Sequence, residues 1–293
     1  MFGKAAYSNL VRRFSPSSAP GPYLAVQPDD TFLVSYPKSG NTWVRFLVAN
    51  LVYPEQSLTL TDADRIIPFV DGPSRTYFKN MQRPRVIKSH YPFQARYKRV
   101  IYVVRDPRDV ALSQYYYQIK RGVLNEQYPI EQFVAGFVEG VVCPYGSWGE
   151  HVAGWLRAGK KNPELLLIRY EDLLRDPLEG SGRIAGLLGI EANSERLTLA
   201  VERSSAKHMR TLEAKEGDRW GSTKGTRQDI SFVRAAKERQ WVSGLPPACI
   251  EKIETAWPEQ IKELGYKTAA EALADAADGA VAQPNLIGSP SGA

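Results

Sequence analysis

Cysteine and histidine are scarce in this chain, and long apolar runs are missing. The 293 residues include two cysteines and three histidines. Cys143 and Cys249 form neither a disulfide framework nor a paired metal-ligand spacing. That excludes small disulfide-stapled folds and zinc modules, and it fits a reducing, cytoplasmic compartment. No stretch approaches the roughly 20 apolar residues of a membrane span. The opening MFGKAAYSNLVRRF is too short in its apolar part for a secretory signal; a frayed terminus is expected, with a surface-lying amphipathic segment as the alternative. A dense Lys/Arg run and any recognisable nucleic-acid motif are both lacking, so nucleic acid is not expected as a partner. A glycine-rich loop ending in Gly-Lys-Ser/Thr is lacking too, which excludes a standard P-loop. No internal repeat is present.

What remains is an ordinary globular composition, 43% hydrophobic and 24% charged. The net charge of +6 is spread along the chain and suits small phosphorylated ligands. Residues 15–30 are rich in Pro and Ser, so 1–30 reads as an irregular lead-in to one large domain over 31–267. Residues 268–293 are mostly Ala, Gly, Asp, Pro and Ser and read as a disordered tail, helical at most around 269–277.

Within the domain, short apolar runs alternate with helical patterns. Strands are expected at Phe32–Val34, Val86–Ile87, Val100–Val104 and Leu165–Ile168. Helices are expected at 42–51, 108–120, 130–139, 148–158, 182–188, 195–207 and 250–264. This alternation predicts an α/β fold with a central parallel sheet and helices on both faces. Ligands in such folds bind at the carboxyl ends of the strands, and three unusual loops fall there.

The first is FLVSYPKSGNTWVRFLVANLVY, residues 32–53. Pro37 and Gly40 end a buried strand, and Val44, Leu47, Val48 and Leu51 then mark one face of a helix. Helix-start N–H groups, joined by Lys38, Ser39 and Thr42, make an anion site for a phosphate or sulfate. The second is VIYVVRDPRDVALSQYYY, residues 100–117: another strand, polar turn and helix, with Asp106 as N-cap and Pro107 as the first helical residue. Arg105 and Ser113 suit a phosphate; the plain alternative is an Arg105 ion pair with Asp106 or Asp109. The third is RVIKSHYPF, residues 85–93, where Lys88 and His90 point to one side of an extended chain. The lysine charge is expected to lower the histidine pKa and leave a neutral base. His151 and His208 lack such company and read as structural.

YPKSGNTW at 36–43, KSH at 88–90 and VVRDPRDVALS at 103–113, in this order, resemble the soluble, cytosolic-type sulfotransferase family, from about Thr31 to Tyr266. The resemblance implies a P-loop-like strand–loop–helix and a co-substrate, 3′-phosphoadenosine 5′-phosphosulfate, whose product is adenosine 3′,5′-bisphosphate. It implies that Lys38, Ser39, Gly40, Asn41 and Thr42 hold the 5′-phosphosulfate, with Trp43 against the adenine. Arg105 and Ser113 would bind the 3′-phosphate; Tyr170 and Ser204 would lie on the adenine side. His90 would be the catalytic base, Lys38 would neutralise charge on the leaving oxygen, and Lys88 would help hold the transferring group. The family's late loop reads Arg-Lys-Gly, two residues, then Gly-Asp-Trp. TKGTRQDI at 223–230 is the stretch matched to it, with Thr223, Lys224 and Gly225 as donor ligands. Thr223 then stands in place of the arginine, Gln228 of the glycine and Ile230 of the tryptophan, and Arg219 and Arg227 are the nearby substitutes for the missing charge.

No metal is expected, since lysines can supply the charge that magnesium supplies in kinases and helix capping accounts for Asp106 and Asp109. The acceptor is expected to be a small aromatic or lipid-like hydroxyl or amine, from aromatics in 64–82, 91–97, 115–150 and 215–230: Phe69, Tyr77, Phe78, Tyr91, Phe93, Tyr115, Tyr116, Tyr117, Tyr145 and Trp148. The competing readings are a P-loop-like nucleotide kinase and a nucleotide-binding protein without catalysis.

Overall fold

Strand-forming runs this short and this apolar must be buried on both faces. The computed structural model, which describes residues 24–272 and 274, shows them so. Four strands, β1 (Thr31–Ser35), β2 (Val86–Ser89), β3 (Arg99–Val104) and β4 (Leu165–Arg169), form a fully parallel sheet in the order β2-β1-β3-β4. Phe32, Val34, Val100 and Tyr102 enter one core, while Leu33, Ile101 and Val103 enter the other with Val44, Leu47 and Val48. Successive residues of a strand face opposite ways, so both faces need a helical cover. The expected sheet and its two-sided covering are thus present.

The helix after β1 spans Asn41–Val52 and the helix after β3 spans Pro107–Lys120, where the Asp106 side chain accepts from the Arg108 N–H. Three expected helices change at their ends. The run 195–207 breaks into Ser194–Arg203 and Ala206–Glu216, because the Ser205 side chain caps a new helix by accepting from the His208 N–H. The run 250–264 divides into Pro247–Ala256 and Pro258–Glu263, since Pro258 has no N–H to continue the first ladder. The run 182–188 starts earlier, at Pro177, behind the cap of Asp176. Leu60–Ile66, Arg75–Asn80 and Tyr170–Arg175 are additional helices of six or seven residues, too short to show a period. Of the tail, only 268–272 and 274 fall within the described residues, and 269–272 are helical; 1–23 and the remaining tail lie outside them.

Arg108 ties the second loop to the C-terminal part. It is 1% exposed and donates to both Asp106 oxygens at 2.9 and 2.6 Å, to Glu254 at 2.5 Å and to the Lys267 carbonyl at 2.8 Å. Its guanidinium lies 3.8 Å from the Trp241 ring centroid. Removing one partner leaves buried carboxylates uncompensated, so Arg108→Met is expected to lower the unfolding free energy by about 3–5 kcal/mol. Urea unfolding checks this; a loss below about 1 kcal/mol would sink the role assigned to the network.

Candidate active site

Because β2, β1 and β3 are neighbours, the three loops leave the sheet side by side at its carboxyl edge. They open into a cavity of about 600 Å³. The β1 loop turns through left-handed backbone at Lys38 (φ 71°) and Gly40 (φ 98°). Gly40 is required there twice over: a Cβ would also stand 2.6 Å from a Tyr170 ring carbon. Gly40 is the N-cap of Asn41–Val52, has no side chain to occupy the helix-start donors, and no acidic residue follows in the first turn. Those donors are therefore presented to a ligand.

Lys38 lines the cavity between two rings, its ammonium 4.1 Å from the centroids of Tyr117 and Phe232. Burial, with Arg234, Arg105 and Lys88 nearby, pushes its pKa down to about 7, and Glu213 opposes them. Burial likewise lowers Lys88 to about 7, with Arg45 adding to the fall. His90 follows β2. Its Nδ1 lies 2.8 Å from the Ser35 carbonyl oxygen. A carbonyl only accepts, so Nδ1 carries the proton and the Nε2 lone pair is free. Burial first, and the Lys88 charge second, hold its pKa well below the usual histidine range. The imidazole is thus neutral, as expected, with desolvation rather than the lysine as the larger cause. His151 is structural with a purpose: it accepts from the Tyr102 hydroxyl at 3.0 Å and donates through Nε2 to the His90 carbonyl at 3.1 Å, which fixes the backbone carrying His90.

Arg105 follows β3 in the cavity wall, with its guanidinium 4.4 Å from the Tyr170 ring centroid. The ion pair with Asp109 exists, at 3.4 Å, but is buried rather than at the surface. The Arg105 Nε is also buried and has no protein partner. Asn41, Thr42, Trp43, Ser113 and Tyr170 line the same cavity, with the Trp43 and Tyr170 rings 5.4 Å apart and edge-on.

Other expected ligands are placed elsewhere. Ser39 is buried behind the loop, its hydroxyl without a protein partner. Ser204 is sealed near Asn50, whose amide donates to it at 3.5 Å, and its neighbour Ser205 lines the cavity instead. Thr223 is buried and donates to the Gly217 carbonyl at 2.6 Å, while Lys224 and Gly225 are exposed. Arg219 is exposed, and Arg227 is held by Asp229 and Glu126. The structure does not bring 223–225 to the cavity. It brings Phe232, Val233 and Arg234, which the sequence reading missed. Lys120 holds the preceding turn, donating to the carbonyls of Arg227 at 2.7 Å and Ile230 at 2.5 Å.

The stretch 234–241 follows the family's late-loop spacing, with Arg234 first and Trp241 last. Its two glycine positions are occupied by Ala236 and Arg239, and both retain left-handed backbone, φ 51° and 57°. Arg105 donates to the Lys237 carbonyl at 3.2 Å and Asp109 accepts from the Trp241 N–H at 3.0 Å, so the loop is tied to the end of β3. The arginine-to-tryptophan spacing was the available signal. It was hidden because the glycines are absent and a Lys-Gly pair occurs earlier.

Of the expected acceptor aromatics, Phe69, Tyr117 and Tyr145 line the cavity. Phe78, Tyr91, Tyr115 and Trp148 are buried in the core, and Phe93 and Tyr116 are exposed. Val123, Val142 and Pro144 add apolar wall.

A cationic cradle beside a neutral histidine, at the open edge of a parallel sheet, defines an enzyme that handles a multiply anionic donor. The chain belongs to the sulfotransferase domain family, whose pattern matches residues 28–265. It is 30% identical over 253 residues to the 3-beta-hydroxysteroid sulfotransferase of Cavia porcellus, covering 82% of this chain and 86% of that protein. It is 28% identical over 257 residues to sulfotransferase 1E1 of Homo sapiens, covering 82% and 86%. Mouse sulfotransferase SULT7A1 complexed with PAP has the same fold, with a TM-score of 0.66 at 24% identity over 86% of this chain and 90% of that one. A retinol dehydratase in complex with androsterone and PAP gives 0.67 at 21% identity, covering 81% and 82%. The enzyme is a sulfotransferase using 3′-phosphoadenosine 5′-phosphosulfate, and the kinase and non-catalytic readings give way. The cavity fits that donor: buried Arg105 Nε lacks a partner, Lys38 and Arg234 stand beside it in charge, and helix-start donors face inward.

Proposed function

We propose that the enzyme sulfurylates an aromatic or lipid-like hydroxyl, with an amine as the second choice, using His90 as base. The carrying observation is the cationic cluster of Lys38, Lys88, Arg105 and Arg234 around one cavity, with Glu213 opposing near Lys38 and Asp109 paired to Arg105. Such a cluster favours a multiply anionic ligand, which would restore the charge that burial removes from the lysines. In this reading Lys38 and the helix start hold the sulfated end, Arg105, Ser113 and Arg234 hold the 3′-phosphate, and Trp43 and Tyr170 frame the adenine. The donor supplies a sulfuryl group on a good leaving oxygen. His90 Nε2 removes the acceptor proton, and Lys38 and Lys88 meet the charge that develops. Phe69, Tyr145, Val142 and Pro144 supply an apolar wall for the acceptor. Among the described residues no helix is long and apolar enough to cross a membrane, and the two free, buried cysteines support a cytoplasmic setting.

Binding of adenosine 3′,5′-bisphosphate, measured by calorimetry beside ATP and ADP with magnesium, tests the cradle. Strong preference for the bisphosphate is expected. The anion restores the charge of Lys38, which is about half neutral near pH 7 without it. The protonated form is the binding form, so affinity is greatest below pH 7 and falls as pH rises towards 10. At pH 8, binding should take up protons, visible as a dependence of the heat on buffer ionisation enthalpy. Preference for ATP, or binding without proton uptake, would overturn this assignment.

A further inference from the structure

The helix Pro107–Lys120 presents two amides to the cavity that the transfer chemistry does not use. Gln114 and Gln118 both line it and are 4% and 5% exposed. The side-chain oxygen of each is buried without a protein partner. They stand four residues apart, hence one above the other on a single helix face. Tyr117, the residue before Gln118, lines the same cavity, and its ring centroid lies 4.1 Å from the Lys38 ammonium. The pair thus shares the cavity with Lys38, His90 and Tyr145. Val123, Val142 and Tyr145 line the same cavity, as do Ser113 and Arg121 of the same segment. Leaving one buried amide oxygen unsatisfied costs about 1–3 kcal/mol. Two together in a hydrophobic pocket mark a place where a ligand atom completes the hydrogen bonding.

We propose that Gln114 and Gln118 form a neutral polar subsite for a second hydroxyl on the acceptor, distinct from the one that is sulfurylated. This rests on the sulfotransferase reading above and narrows it to polyhydroxylated aromatic or lipid-like acceptors. An amide is uncharged and offers both an acceptor oxygen and N–H donors, which matches a hydroxyl better than a carboxylate or an ammonium. A site built to hydrogen-bond a hydroxyl discriminates against analogues lacking it, because its own buried groups are then left unpaired.

The test compares 2-naphthol with the 1,6-, 2,6- and 2,7-dihydroxynaphthalenes, as kcat/KM for sulfuryl transfer and as binding in the presence of adenosine 3′,5′-bisphosphate. At least one diol should exceed 2-naphthol by about tenfold in both, beyond the factor of two for its extra reactive group. The double variant Gln114→Leu/Gln118→Leu should reduce that preference to near two, chiefly through KM for the diol. Gln118→Met, which keeps the shape, should lower it at least threefold and guards against a fold defect in the double variant. A diol preference of two or less in the native enzyme, or one that survives both variants, overturns the inference. So does a fall in bisphosphate affinity in Gln118→Met, which would assign the amides to the donor. Bisphosphate binding and any sulfation of 2-naphthol report on the general reading independently. If naphthols bind with the diol preference but are never sulfated, the transfer reading fails and the polar subsite stands.

Discussion

His90→Ala is expected to reduce sulfuryl transfer by about 10²–10⁴-fold while leaving affinity for adenosine 3′,5′-bisphosphate nearly unchanged. The imidazole is oriented from behind: Nδ1 donates to the Ser35 carbonyl and the His90 carbonyl accepts from His151. The remaining lone pair on Nε2 therefore belongs to the cavity. Burial and the Lys88 charge keep the ring neutral at pH well below the ordinary histidine value. The neutral form is the active one, so the acidic limb of the kcat/KM profile assigned to His90 should lie below pH 6.5. Single-turnover rates on the variant, with bisphosphate titration on the same preparation, decide the matter. Retention of more than a tenth of the rate would remove His90 from the role of base. Matching losses of rate and bisphosphate affinity would make it a donor ligand.

Arg234→Ala should weaken the bisphosphate about 10–100-fold, the scale of one or two lost hydrogen bonds to a charged group. Arg105→Ala should do the same and also loosen the late loop, because Arg105 bonds the Lys237 carbonyl. Both effects should largely disappear with adenosine 5′-phosphosulfate, which lacks the 3′-phosphate. Lys224→Ala provides the contrast. Lys224 is exposed on a turn outside the cavity, so its variant should bind the bisphosphate with native affinity. Selective loss in Lys224→Ala with none in Arg234→Ala would restore the 223–225 assignment and refute the structural one. Equal losses for donors with and without the 3′-phosphate would refute the role given to both arginines.

The contrast between Lys224 and Arg234 shows where sequence reading stopped. Lys224-Gly225 carries the residue types of a donor loop, yet its turn is closed by the Thr223 hydroxyl bonding back to Gly217 and faces solvent. Arg234 has no glycine beside it to advertise a tight backbone. Its loop adopts left-handed geometry at Ala236 and Arg239, and the ties of Arg105 to 237 and of Asp109 to 241 hold its middle and its far end. Residue type predicts such backbone only statistically. The acceptor aromatics divide for a different reason: Tyr91, Tyr115 and Trp148 satisfy the same apolar preference in the core as Phe69 and Tyr145 do in the cavity.

Local chemistry was enough to locate β1, β2 and β3, the two helices that follow β1 and β3, and the loops bearing Lys38, Lys88, His90 and Arg105. Strand period, Pro and Gly punctuation and the Asp106-Pro107 start act over a few residues, so they can be read in one dimension. The joining of those loops into one cavity came from the strand order β2-β1-β3, which no single segment encodes. Burial then turned Lys38 and Lys88 into lysines that titrate near pH 7, and a carbonyl from β1 chose the tautomer of a histidine 55 positions later. Proton affinity and tautomer depend on the solvent excluded and the partner supplied by distant chain. They are properties of the packed molecule alone.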